Sequence, residues 1–530
     1  MRRVASFVVV VACTALASSC PPPALACDTA TPCPAGLACG VDGFCAPAGE
    51  GEGEGNAGEG EGNASEGEGN AGEGEGEGNA GEGEGEGNAG EGEGEGEGEG
   101  EGQPDNHAPT LMLVQASVRL RVGTGVVVAQ AADPDGDLIG INVITPAANG
   151  VVAVNAQGDV SFTASSVGAP STVTIQASDG RGGVSGVVSF VEDSVPSDWA
   201  DLGLSQRLVL QVRNVGASSP VNGLVVLATV TLGQVTSSVL AELRAAHLFT
   251  DPAGTVLPSE LDHDTGNEIA FWVRTNVVDP NASGSQILYG YAGGATALGV
   301  PDKETWSDYV AVYHLDGALD DATQNRAPAT VIGDAAPVTC TVGQCYTFDG
   351  AGDGLLMGFN DGAVAGLDAL TLSASVTRRA VVPSIVEIIG FSVNGDVPSR
   401  VSLSIGATEA ARALVRTDDD TSNGAVLDGA SVIPLGTFEA LDFVVDAAGG
   451  SAALYRGGAL ESTGACVAQP FLGTTSDRAS IGIDEDLTTG SFQGEIDEVR
   501  VARVTRSADF ERYDAEARAG VLLSLVAVEP

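Results

Sequence analysis

The chain is predicted to be all-β and multidomain, and three observations carry that prediction. Period-two apolar alternation recurs in short runs from residue 106 almost to the C-terminus, as in Val118-Arg119-Leu120-Arg121-Val122 and Arg207-Leu208-Val209-Leu210-Gln211-Val212-Arg213. Asp, Gly and Asn turns punctuate those runs at short spacing, the pattern of sandwiches and jelly rolls. A run of almost pure Gly-Glu from Glu50 to Gly102 separates this region from a cysteine-rich N-terminal segment. Glycine has the most backbone entropy to lose, and the glutamates repel one another and bury nothing, so the run is expected to be a disordered linker.

The first element is an export signal over residues 1–19. Met1-Arg2-Arg3 is basic, and Val4 to Ala17 is apolar but too short for a membrane span. Two cleavage readings stand beside each other. Ala17-Ser18-Ser19-Cys20 resembles a lipobox with its apolar residue one place early, which makes Cys20 a candidate lipid-bearing residue. Ala24-Leu25-Ala26 offers an ordinary cleavage site before Cys27. The expected location is extracellular or the cell outer-membrane surface, with a lipid anchor and no transmembrane span.

Residues 20–48 form the second element. Cys27, Cys33, Cys39 and Cys45 recur every six residues, which in an exported chain reads as two disulfides closing a small knob. Three pairings are open. A zinc site is the weaker alternative, because C-x-x-C pairs and a nearby histidine are both missing. Further on, Cys340 and Cys345 flank Thr-Val-Gly-Gln and are expected to close a small loop, leaving Cys466 as a buried free thiol.

The linker, residues 49–105, holds 20 of the chain's 72 acidic residues, 19 of them the glutamates from Glu50 to Glu101. As a coil it spans about 40 Å, further extended by its own charge. The net charge of −49 stays strongly negative when the linker is set aside. That excludes nucleic acid and anionic membrane surfaces as expected partners and suits divalent cations.

Residues 106–195 are expected to form a sandwich. Gly150-Val151-Val152-Ala153-Val154 and Ser171-Thr172-Val173-Thr174-Ile175 are its clearest strands. With Asn106-His107-Ala108-Pro109, Asp133-Pro134-Asp135-Gly136-Asp137 and Asp179-Gly180-Arg181-Gly182-Gly183, the segment resembles bacterial cadherin-like and immunoglobulin-like surface repeats. Asp133, Asp135 and Asp137 alternate within one turn, and closely spaced hard oxygens suit calcium; Asp179 is the candidate fourth ligand. The competing reading is that Asp and Gly simply make a good turn.

Residues 196–305 contain His247-Leu248-Phe249-Thr250-Asp251, Phe271-Trp272-Val273 and Ile287-Leu288-Tyr289-Gly290-Tyr291. In that order they resemble a domain of unknown function that precedes laminin-G-like modules. Residues 306–507 resemble such a module, a concanavalin A-type jelly roll. Ala311-Val312-Tyr313-His314-Leu315 opens it, Phe348-Asp349-Gly350 is its turn, and Gly494-Glu495-Ile496-Asp497-Glu498-Val499-Arg500-Val501 is its closing strand. The tryptophans usual in the family's central strands are missing; Trp199, Trp272 and Trp306 all precede the module's opening strand. Residues 508–530 are expected to be a short helix, Ala508 to Ala519, and a tail.

This fold also hosts glucanases, which align three carboxylates at i, i+2 and i+4 of one strand. Here Glu495 and Asp497 meet the first two positions, the third is Val499, and Glu498 is expected on the opposite face. Neither a Gly-x-Ser-x-Gly elbow nor a histidine cluster is visible, so His107, His247, His263 and His314 are expected to be structural, with His263 in an Asp-rich loop. Asp349, Asp353, Asp320 and Asp321 are a second candidate ion site, and Asp418-Asp419-Asp420 reads as a solvated loop. The expected function is binding of a glycan or protein ligand at the cell envelope without catalysis. A passive structural role and a divergent carbohydrate-active enzyme are the alternatives.

Overall fold

The computed structural model describes the backbone of residues 37–39 and 45–47 and then residues 105–529, apart from 283, 285, 294–303, 359–362, 383, 393–399, 418–423, 473–477, 485, 486 and 488. The export signal, Cys20, Cys27, Cys33, the Gly-Glu run and Asp418 to Asp420 therefore lie outside the described residues. In the N-terminal unit, Leu37–Cys39 and Cys45–Pro47 form an antiparallel hairpin with Cys39 and Cys45 as Cα partners.

The first sandwich has two four-stranded sheets. One runs Ser117–Arg121, Val188–Val195, Gly168–Ser178, Gly140–Thr145, and the other Thr110–Leu113, Gly125–Ala132, Asp159–Ala164, Gly150–Val154. The alternation seen in the sequence sets which side chains face inward: Val160, Phe162 and Ala164 from one sheet meet Val173, Ile175 and Ala177 from the other. Phe162 and Phe190 cross edge to face at 5.8 Å. This sandwich is tied to the next domain at Trp199, which is buried with the guanidinium of Arg119 5.0 Å above its ring. Arg121 donates to the carbonyls of Trp199 and Ala200 at 2.7 and 2.9 Å.

The second domain packs a five-stranded sheet on a three-stranded one. The smaller sheet is Val225–Thr231, Glu268–Arg274 and Ser259–Asp264. The larger sheet runs Val256–Leu257, His247–Thr250, Ile287–Ala292, Gln206–Val212 and, at its edge, Leu523–Glu529. That last strand comes from the segment the sequence reads as a tail. It pairs antiparallel with Gln206–Val212, from Arg207 opposite Glu529 to Val212 opposite Leu523. Arg207 fixes the register by bridging Asp198 at 2.8 Å and Glu529 at 2.6 Å. The domain is thus discontinuous, and the jelly roll is inserted within it.

The jelly roll is built from a seven-stranded and an eight-stranded sheet. In the latter the closing strand Gln493–Ala502 lies between Gln344–Asp349 and Ala369–Arg378, with Phe438–Asp446 next and Tyr309–Tyr313 also paired to the closing strand. Along Ala369–Arg378, Leu370, Leu372, Ala374 and Val376 face the core between the sheets, so Ser373, Ser375 and Thr377 lie on the outer face. One end of that outer face is covered by the second domain and by helix Ala508–Arg518; the other is open. The helix starts at Ser507, whose Oγ accepts from Phe510 N at 3.2 Å. Phe510, Tyr513 and Ala517 pack into the core of the second domain, while Glu511, Asp514 and Arg518 lie against the jelly roll. Among the described residues no helix is long and apolar enough to cross a membrane.

Candidate functional site

The open end of the outer face holds a cleft of about 280 Å³, at the small end of the ~300–1,000 Å³ usual for ligand sites. Ser375 and Thr377 form its floor, and the register sets Asp497 opposite Ser375 and Glu495 opposite Thr377. Phe438 supplies an aromatic edge. The far wall is the loop Thr339 to Cys345, closed by the Cys340–Cys345 disulfide expected from the sequence. Arg379 Nε donates to both oxygens of Glu495 at 2.8 Å. Hydroxyls, one paired carboxylate and one ring edge suit a small polar ligand.

The closing strand differs from its sequence reading. Glu498 has a left-handed backbone, φ 49°, and the register against Ala369–Arg378 shifts between Ser373 and Ser375. This is a β-bulge, and its extra residue resets the alternation. Ile496, Val499 and Val501 point into the core, whereas Glu495, Asp497, Glu498 and Arg500 all emerge on the outer face. The expectation that Glu498 lies on the opposite face is therefore corrected. Glu498 is nonetheless fully engaged. His314 Nδ1 lies 2.8 Å from Oε1, and Arg500 donates to Oε2 from Nε at 3.0 Å and Nη2 at 2.7 Å. Burial, then the charges of Glu498 and Asp262, push the Asp497 carboxyl well above the usual carboxylate range. It stands at the back of the cleft, with its Oδ1 accepting from Glu498 N at 2.9 Å.

Behind Asp497 runs a buried seam of charge between the jelly roll and the second domain. Arg500 is sandwiched by tryptophans from that domain, its guanidinium 4.4 Å from the Trp272 ring and 4.9 Å from Trp306. The aromatic residues missing from the jelly roll are supplied by its neighbour. His314 stacks on Trp272 at 5.8 Å with a 10° tilt. Burial opposes its charge, but Glu498, Glu260 and Asp262 outweigh it and hold the imidazole well above its ordinary range. His263 lies on the strand Ser259–Asp264, not in a loop; its bond to Asp262, 2.6 Å long, raises it to about 9. Sequence reasoning missed this seam, since its members come from separate segments, His314 and Glu498 standing 184 residues apart. His107 and His247 sit elsewhere, the former on Asp135 at 2.9 Å and the latter against Phe271.

Asp133, Asp135 and Asp137 do converge, with one oxygen of each within 4.8 Å of the others. Asp133 Oδ1 caps its own turn, and Asp137 pairs with Arg181 at 3.0 Å. Asp179 is not in that group: it accepts from Asn106 Nδ2 at 2.7 Å and from the N–H groups of Arg181 and Gly183. In the jelly roll Asp349 and Asp353 gather with Asp334, which the sequence reading left out. Asp321 instead closes its own loop through Val312 N and Thr323 N, and Asp320 stands outside the group. Cys466 is a free thiol, half-buried.

Residues 349–509 match the concanavalin A-like lectin/glucanases superfamily, and residues 106–191 match the bacterial Ig domain. No curated protein matches the chain. Similar solved structures include domain 4 of AbnA, a GH43 extracellular arabinanase from Geobacillus stearothermophilus, in complex with arabinotriose (21% identity, covering 39% of this chain and 98% of that one, TM-score 0.33). Others are the native heptameric SAP-like pentraxin from Limulus polyphemus (15%, 28% and 70%, 0.24) and the Ruminococcus gnavus IT-sialidase CBM40 bound to α2,3 sialyllactose (17%, 34% and 94%, 0.26). At these identities and scores they bear on neither ligand nor activity. A bacterial Ig domain followed by a laminin-G-like jelly roll is the make-up of an extracellular surface protein.

Proposed function

We propose that the chain is a non-catalytic binding protein of the bacterial cell envelope that takes a glycan end in the cleft at Ser375, Thr377, Phe438 and Glu495. The observation that carries this is the state of the three outward carboxylates. Glu495 is paired with Arg379, Glu498 is locked between His314 and Arg500, and burial favours the neutral form of Asp497. Such a set offers hydrogen bonds to hydroxyls and leaves no free carboxylate as a nucleophile. Cys20 would carry the lipid, with the Gly-Glu run holding the folded domains off the surface.

The test is a glycan array probed with the mature chain and with F438A and E495A. Retention lost in both variants supports the reading. Silence across glycans and envelope proteins would leave a passive structural role, and turnover of a polysaccharide would make it an enzyme. Calcium at Asp133, Asp135 and Asp137 is part of the same proposal, supported by the convergence of those oxygens. Chelation is then expected to lower the melting temperature of the Ig-like sandwich, with D135A removing the effect; equal melts with and without chelator would end it.

A further inference from the structure

The buried charges of the seam alternate in sign. Asp442 accepts from Arg518, Arg518 Nε donates to Asp514 at 2.8 Å, Arg500 Nη1 donates to Asp514 at 3.0 Å, and Arg500 continues to Glu498 and so to His314. Glu511 stands outside that alternation. It projects from the same face of helix Ala508–Arg518 as Asp514 and Arg518, and it is 1% exposed. Neither of its oxygens accepts a hydrogen bond among the described residues, and the adjacent Asp442 Oδ2 is equally unpartnered with the residue fully buried. One oxygen each of Asp442, Glu511 and Asp514 lie within 4.8 Å of one another.

Two buried carboxylates this close, out of water, cannot both stay ionised. Something positive has to lie between them. A hard metal ion asks for six or more oxygens, but only three here are unclaimed: both oxygens of Glu511 and Oδ2 of Asp442. The other oxygens of Asp442 and Asp514 already accept from guanidinium groups, which would also repel the ion. A proton needs no room and removes one of the two charges without a counter-ion. We infer that Glu511 and Asp442 share one proton, and that this acid–carboxylate pair pins the C-terminal helix to the jelly roll and weakens when the proton leaves.

The groups around the pair agree in sign. From the helix, Asp514 raises both acids while Arg518 opposes; Arg506 lowers Glu511, and Arg500 from the closing strand lowers Asp442. Ser373 and Tyr455 flank Asp442 on the neighbouring strands, and the Tyr455 phenol is itself pushed up first by burial and then by Glu511 and Asp442. Burial dominates throughout, lifting Asp442 to about 6 and Glu511 well above its usual range. Folding therefore takes up a proton that the unfolded chain has released, and stability from this pair falls as pH rises through the folded values.

The test is the full chain and its E511Q variant, melted from pH 5 to pH 10. The amide keeps a donor to Asp442 without an ionisation. E511Q is expected to melt about 2–4 °C above wild type at pH 9 and to lose that advantage at pH 5, the scale of one ionisation in a unit this size. Parallel curves for the two proteins would overturn the inference. Infrared difference spectroscopy, wild type minus E511Q at neutral pH, gives a second readout, a protonated carboxylic acid band that the variant lacks; its absence from the difference would also overturn it. Saturable calcium or magnesium stabilisation of wild type but not E511Q would overturn it in favour of a cation.

Discussion

Replacing Arg500 by Met removes the centre of the seam while nearly conserving volume. Arg500 is 1% exposed, donates to Glu498 and Asp514, and lies between two indole rings. Breaking a buried pair by removing one partner costs about 3–5 kcal/mol, because the other charge stays behind. Each stranded acid here retains a second cation, Glu498 through His314 and Asp514 through Arg518. That argues for the lower end, and the lost cation–π contacts, about 1–2 kcal/mol when desolvated, bring the total back to roughly 4 kcal/mol. For domains of this size the loss corresponds to roughly 8–16 °C in Tm, measured by circular dichroism at pH 7. R500K keeps the charge but not the fork and is expected to lose about half as much. In a cycle with E498Q the double variant should lose less than the sum of the singles. A loss below about 1 kcal/mol in R500M would refute the claim that this arginine holds the two domains together.

Three other outcomes follow from the same geometry. His263 rises from 6.5 to about 9; its stabilisation is complete below pH 6.5 and is lost as pH rises through about 9. The whole shift is worth about 3.4 kcal/mol, and screening on its solvent-facing edge reduces that to roughly 1–2 kcal/mol. H263Q should flatten the alkaline arm of the Tm–pH curve, and an unchanged slope would count against it. Deleting residues 523–530 uncovers the Gln206–Val212 edge and should unfold the second domain while the Ig-like sandwich keeps its own melt, as limited proteolysis would show; a resistant second domain contradicts the discontinuous fold. Reducing Cys340–Cys345 opens the far wall of the cleft, so glycan retention should fall more than stability, for which loop closure is worth about 2 kcal/mol; undiminished retention would place the ligand elsewhere.

Much of the fold was legible because it is written locally. Ser171 to Ile175 alternates and is a strand, Gly350 turns the chain at φ 82° directly after the strand that Phe348 and Asp349 end, and Ser507 starts the terminal helix, each fixed by residues within a few positions. What escaped depends on distant partners. Leu523–Glu529 reads as a tail until Gln206–Val212, some 320 residues earlier, gives it hydrogen bonds. The face of Glu498 was misread because strict alternation assumes no inserted residue, and nothing in Ile-Asp-Glu-Val announces the bulge. Of the cleft, Glu495 and Asp497 were visible as a spaced pair and Cys340 and Cys345 as a loop. That they face one another across Ser375 and Thr377 is a property of the sheet order alone.

The cleft and the seam are not independent sites. Asp497 lines the first, and its carboxyl is raised by burial and then by the charges of Glu498 and Asp262 in the second. The disulfide loop touches both: a Cβ added at Gly343 would lie 3.3 Å from His263 Nδ1, and Val342 packs against the core of the second domain. A ligand held at Asp497 therefore binds the joined form of the two domains better than a separated one. By linkage, the ligand in turn strengthens the joining by the factor by which joining strengthens the ligand, and a weakened seam lowers affinity as far as it lowers the joined fraction. G343A tests the coupling without altering any lining group of the cleft. Its left-handed φ of 52° and the imidazole in its path strain the loop against the seam. Lower Tm and lower glycan affinity should then appear together, and a variant that lost one without the other would show that the second domain is only a support.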